Sequence, residues 1–145
     1  MSDPEGFTKD MQENAARCVE EYGHSYSNPL DYSVNSLEVV DALLEDASDV
    51  FEDLEEHVQK KLVTLFGCYI FEVARSNFGG SYFWYDKLDQ PILVTGLPDF
   101  EISITAFEKV KGRLVNGAED NIPFYFEGYA DRVKKAKKGE KAYIV

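Results

Sequence analysis

Leu62–Trp84 reads LVTLFGCYIFEVARSNFGGSYFW. Its first thirteen residues, Leu62 to Ala74, carry a single charge, Glu72. A helix apolar on nearly every side is a buried helix. Thirteen residues also fall short of the roughly 20 that span a bilayer, so the burial is within protein. Asn77-Phe78-Gly79-Gly80 then ends the helix, and Ser81-Tyr82-Phe83-Trp84-Tyr85 starts an aromatic strand. The stretch predicts a central helix, a glycine turn and the first strand of a small sheet.

Upstream, Phe51, Leu54, Val58, Leu62, Leu65, Tyr69 and Val73 continue the apolar stripe, so the central helix is expected over Phe51 to Ser76, with Ser48 as its cap. A second helix is expected from Asn35, where Asn35 and Glu38 have capping-box spacing and Val34 can staple onto the first turn. A first helix is expected over Pro4 to Tyr22, capped by Asp3 and stopped by Gly23, with Phe7, Met11, Ala15, Cys18, Val19 and Tyr22 on one face. Asn28-Pro29 marks a turn between them. Downstream, Ser81 to Tyr85 and Pro91 to Thr95 read as a hairpin around Asp86–Gln90, with a third strand at Phe100 to Ile104. Thr105 to Asn116 reads as a helix ended by Gly117. Asp120 or Asn121 caps a last helix from Ile122 to about Lys138, and Lys141 to Val145 reads as a short strand or a tail. The expectation is a single α+β domain over residues 1–145: three N-terminal helices with a long central one, a small antiparallel sheet and two C-terminal helices.

The chain has 145 residues and a net charge of −12, and that charge has a location. Cys18 to His57 contains twelve acids and no Lys or Arg; outside it, acids and bases number fifteen each. The acids there include Glu45, Asp46, Asp49, Glu52, Asp53 and Glu56. A net acidic chain repels phosphate backbones, so nucleic acid is an unfavourable partner and a basic protein a natural one. Acidic surfaces also keep proteins soluble without any partner, and acids near a helix N-terminus are favoured by its dipole. The basic run Arg132 to Lys141 suits a helix C-terminus for the same reason. The N-terminus MSDPEGFTKD lacks the basic and apolar regions of a signal peptide, and no apolar run reaches membrane length, so a cytoplasmic protein is expected. Cys18 and Cys68 then read as buried free thiols.

Catalytic signatures are scarce. His24 and His57 are the only histidines, and no His/Cys spacing suits a metal, so neither metal nor cofactor is expected. There is no nucleophile elbow, P-loop or dinucleotide fingerprint, and Gly79-Gly80 precedes a strand where a phosphate cradle needs a helix. Glu72 is the residue whose placement asks for a reason, since a carboxylate among apolar residues must be paired, hydrogen-bonded or neutral. It reads either as a tuned acid or base or, preferred here, as a structural acceptor with Arg75 nearby and the Gly79-Gly80 amides within reach. The run Tyr82–Tyr85 reads as strand packing in preference to a stacking platform for bases.

Leu30-Asp31-Tyr32-Ser33, Ser36-Leu37-Glu38, Phe66–Val73, Asn77, Gly79, Gly80, Trp84, Arg113–Gly117 and Asp120 together resemble an uncharacterised bacterial domain family, over roughly residues 30–135. The resemblance implies an α+β fold without an established activity; Glu72, Asn77, Gly79, Gly80 and Trp84 are expected to be structural. Proteins that look like this occur among immunity proteins of bacterial toxin systems and among solitary cytosolic proteins. The resulting expectation is a non-catalytic, monomeric binding protein that covers a basic toxin with Glu45, Asp46, Asp49, Glu52, Asp53 and Glu56. The alternatives are a chaperone or adaptor for a secreted protein, which would be expected to dimerise, and an enzyme using Glu72.

Overall fold

A computed structural model describes residues 4–24 and 29–145. Its spine is the helix α3 (Glu56–Phe78), in which every residue from Leu65 to Ala74 is buried. The apolar run is buried all round because different elements cover different sides. α1 (Pro4–Tyr22) lies along one flank, with Met11, Ala15 and Cys18 in the core. α4 (Ala106–Asn116) crosses another flank at Gly67, where a Cβ would stand 2.3 Å from Phe107 Cδ1. Only a glycine lets the two helices meet this closely. The end of α3 meets the sheet through Phe71 against Tyr82, ring centroids 5.6 Å apart. It meets α5 (Ile122–Lys135) through Phe78 against Tyr129, 5.7 Å apart.

The fold is α+β, with five α-helices and a four-stranded mixed sheet among the described residues. The strands β1 (Ser81–Tyr85), β2 (Gln90–Thr95), β3 (Glu101–Ile104) and β4 (Lys141–Ile144) lie in that order. β1/β2 and β2/β3 pair antiparallel, with Phe83 opposite Ile92 and Val94 opposite Ser103. The expected antiparallel sheet needs correction at its edge: the C-terminal segment is a strand and runs parallel to β3, with Ile102 beside Ala142. A parallel neighbour needs a long crossover, and α4 and α5 supply it.

Two helix starts also differ from expectation. α2 (Leu37–Ser48) is entered through a 3₁₀ turn, Val34–Ser36, capped by Ser33, whose Oγ accepts from the Ser36 amide at 3.2 Å. The capping therefore falls two residues before Asn35. Ser48 closes α2, its hydroxyl donating to the Glu45 carbonyl at 2.6 Å, and does not open the next helix. Phe51–Asp53 forms a 3₁₀ turn, Leu54 is extended, and α3 begins only at Glu56, so the continuous stripe from Phe51 conceals a bend. The last helix ends at Lys135, short of the expected Lys138, because Ala136 is extended; two further signals hold. Gly117 ends α4 with φ +82°, and the Asn121 side chain accepts from the Phe124 amide at 2.9 Å to cap α5. The expected Asp3 cap and Asn28 of the turn lie outside the described residues.

Candidate functional site

The six acids singled out from the sequence are all exposed and follow one another along the end of α2, the 3₁₀ turn and the first residue of α3. They are not equivalent. Glu45, though exposed, is tied to Arg113 of α4, whose Nη2 donates to Glu45 Oε1 at 2.8 Å. Glu56 pairs with Lys60 at 3.1 Å, both well exposed. Asp49, Glu52 and Asp53 make no ion pair among the described residues. Glu45 and Asp46 occupy the last turn of α2, where no base is present and the helix dipole disfavours negative charge. That placement opposes helix stability; Arg113 offsets it at Glu45.

Arg113 is a residue whose role sequence reading missed. It is 2 % exposed, a cation inside the core, held by a fork to Asp41 of α2 at 2.8 and 3.2 Å. Asp41 also accepts from the Ile122 amide at 3.0 Å and from Asn121 Nδ2 at 3.2 Å, so one carboxylate fastens α4 and the N-terminus of α5 to α2. These hydrogen bonds, Asp41's first, raise the Arg113 pKa against the opposing effect of burial. The signal was available: Ala106, Val110, Arg113 and Leu114 share the buried face of α4, so a cation there required an acid facing it.

Beside the acidic ridge, an open cleft of 680 Å³ lies between the start of α3, the β1–β2 turn and α4. Phe51, Leu54, Val63 and Phe107 form its apolar wall, while Glu56 and Glu108 stand among its polar residues. The ridge and the cleft thus share Glu56. Phe51 and Leu54 were legible as part of the apolar stripe, but Phe107 and the cleft were not, since the cleft assembles segments far apart in sequence.

The structural set lies at the other end of α3, about 24 Å from Glu56 at 1.5 Å per residue. Glu72 is buried, and its partners differ from the expected turn amides. Arg75 Nε donates to Oε2 at 2.9 Å, Arg75 Nη2 to Oε1 at 3.0 Å, and the Tyr82 hydroxyl to Oε2 at 2.6 Å. The Gly79 amide instead donates to the Arg75 carbonyl. Burial, and next the charge of Glu72, push the Tyr82 phenol well above its ordinary range. Glu72 lines none of the four principal clefts. Asn77 Nδ2 donates to the Val73 carbonyl at 2.7 Å and to the Tyr32 carbonyl at 3.0 Å, tying the 29–33 segment to α3. Gly79 (φ +78°) and Gly80 (φ +143°) carry the chain into β1 in backbone conformations that favour glycine. Trp84 packs edge-on to Phe7, with centroids 6.0 Å apart, and its indole N–H donates to Asp89 at 3.3 Å.

No group of three or more His, Cys, Asp or Glu is placed to hold a metal ion among the described residues, and no helix there is long and apolar enough to cross a membrane. Cys18 and Cys68 are buried free thiols, and burial pushes the Cys68 thiol up to about 12. Fold and site together define an α+β protein with a one-sided acidic ridge next to an apolar-walled cleft. No family model, no curated protein and no solved structure matches this chain.

Proposed function

We propose that this chain is a non-catalytic binding protein, most concretely an immunity protein that neutralises a basic bacterial toxin by covering its active site. The observation that carries the reading is the run of exposed carboxylates Asp49, Glu52 and Asp53, unpaired by any described base, continuing from acids at the unfavourable end of α2. Local features that oppose stability are expected where a surface serves another purpose. Such a surface accelerates encounter with a basic partner and loses that advantage as salt screens it. The Glu72 geometry supports a structural role for that residue: its two oxygens are occupied by Arg75 and Tyr82 and it faces no principal cleft.

The contact surface is drawn more narrowly than the sequence suggests. Asp49, Glu52, Asp53 and Glu56 face outward, whereas Glu45 belongs to the Arg113 network. Co-expression with the neighbouring gene product, followed by pulldown at low and high salt, is the direct test. A basic protein retained one-to-one and loosened by salt is the expected result. Reversing Asp49, Glu52, Asp53 and Glu56 to lysine is expected to slow association by roughly 10-fold or more, within the range of electrostatic steering. Retention indifferent to both salt and charge reversal removes the acidic ridge as the contact.

One observation favours the adaptor reading as second. Phe124 is 78 % exposed and Val145 82 %, and both line a cleft beside the edge strand β4. Light scattering separates the readings, since a strict monomer at high concentration opposes an adaptor of the dimeric kind.

A further inference from the structure

We infer that the cleft between α3 and α4 receives an arginine side chain of the basic partner. This rests on the binding reading above and assigns it a specific point of contact. The wall is formed by the half-buried Phe107, Leu54 and Val63 over the buried ring of Phe51. Such a surface suits a flat cation with an apolar stem, because guanidinium planes stack on aromatic faces and are weakly hydrated. Acceptors stand around it in the carboxylates of Asp89 and Glu108; Gln90 also lines it, its Oε1 buried without a hydrogen-bond partner among the described residues while its Nε2 donates to Glu108 at 3.2 Å. An unpaired buried acceptor is costly and calls for a donor. A guanidinium brings five donors in a fixed fork; a partner's carboxylate brings none.

The charge balance agrees. Two bases line the cleft, Lys60 and Lys111, of which Lys60 is paired with Glu56 at 3.1 Å. Against them stand Glu56, Asp89 and Glu108, with Glu52 and Asp53 exposed in the turn between Phe51 and Leu54. At 680 Å³ the cleft lies within the ~300–1,000 Å³ of small-ligand sites, with room for an arginine and its neighbours. An aromatic-walled pocket filled by arginine is also the composition in which binding energy concentrates at protein interfaces.

The test is an NMR titration of the full ¹⁵N-labelled chain with the capped tripeptide acetyl-Gly-Arg-Gly-amide. The citrulline tripeptide, equal in shape and uncharged, is the control. The expected result is movement of the Gln59 and Gln90 side-chain amides and of the Thr64 amide with the arginine peptide, absent with citrulline. Glu108→Gln is expected to weaken that binding by roughly 10-fold, the loss of one charge-assisted hydrogen bond, while resonances remote from the cleft stay in place. No movement, or equal movement with citrulline, overturns the inference. Movement confined to residues 49–53 overturns it too, and leaves the acidic ridge standing. Movement at the cleft combined with no basic protein in the pulldown supports the arginine site and retires toxin neutralisation.

Discussion

Glu72 shows how a single buried charge is made tolerable. Arg75 lies one turn on and forks onto both oxygens, and Tyr82 reaches across from β1. Glu72→Gln keeps the shape but loses the charge in those bonds. Its unfolding free energy is expected to fall by about 2 kcal/mol, the scale of a hydrogen bond to a charged group, in urea melts with an unchanged slope. A variant that abolished partner binding at undiminished stability would instead assign Glu72 a direct functional role. The buried thiols and phenols set the alkaline limit. Burial raises Cys68 and Tyr129 to about 12, and raises Cys18 further, with the charge of Cys68 adding to it. The folded state holds protons that the unfolded chain releases from about pH 8.5 for thiols and about pH 10 for phenols. The stability they contribute is complete below those values and is lost as pH rises toward the folded values. Thermal melts are therefore expected to stay level from about pH 7 to 8 and to decline steadily above about pH 9. A midpoint unchanged to pH 11 contradicts the burial of these groups.

Among the helices, the Arg113–Asp41 fork carries the greatest consequence. It joins α4 to α2, and through the Ile122 amide it also holds the start of α5. Breaking a buried pair from one side leaves the other charge uncompensated, at a typical cost of 3–5 kcal/mol. Arg113→Met is expected to destabilise by about that amount, read by chemical denaturation, and to loosen α5 first in hydrogen exchange. Uniform protection across α5 in that variant would show that Asp41 holds the helix without Arg113. Because Glu45 shares this arginine, reversing its charge is expected to reduce stability as well as surface charge. It is therefore left out of the four-residue variant used to test binding.

At the scale of the molecule the charge is unevenly distributed, with a net −12 gathered into one third of the chain. Self-repulsion along the ridge opposes the compact state and is screened by salt. Raising sodium chloride from 10 to 300 mM is expected to increase the thermal midpoint of the free protein by a few degrees, corresponding to roughly 1 kcal/mol. The same salt is expected to loosen its basic partner. A midpoint that falls with salt would mean that surface ion pairs such as Lys61–Glu21, at 2.8 Å, outweigh the repulsion.

The succession of helices and strands was legible because its causes are local. An apolar run too long for one face demanded a buried helix, Gly79-Gly80 ended it, and alternation and turn residues marked the hairpin. The acidic stretch was legible for the same reason, being contiguous in the chain. The bend at Leu54 was hidden, since apolar spacing on either side of it stays in phase and only the Phe51–Asp53 turn and the extended Leu54 reveal it. Three features belong to the tertiary structure. β4 lies parallel to β3 because α4 and α5 carry the chain back to that edge, and four residues, Lys141–Ile144, contain nothing that names their neighbour. Arg113 meets Asp41 across 72 positions of sequence. The cleft joins Phe51, Gln90 and Phe107, which come together only when α4 crosses α3 at Gly67. Sequence by itself determined the order of most elements and where the charge sits, since propensity, pattern and turn chemistry act between near neighbours. Only packing decided which distant groups meet, because that depends on how whole faces fit together.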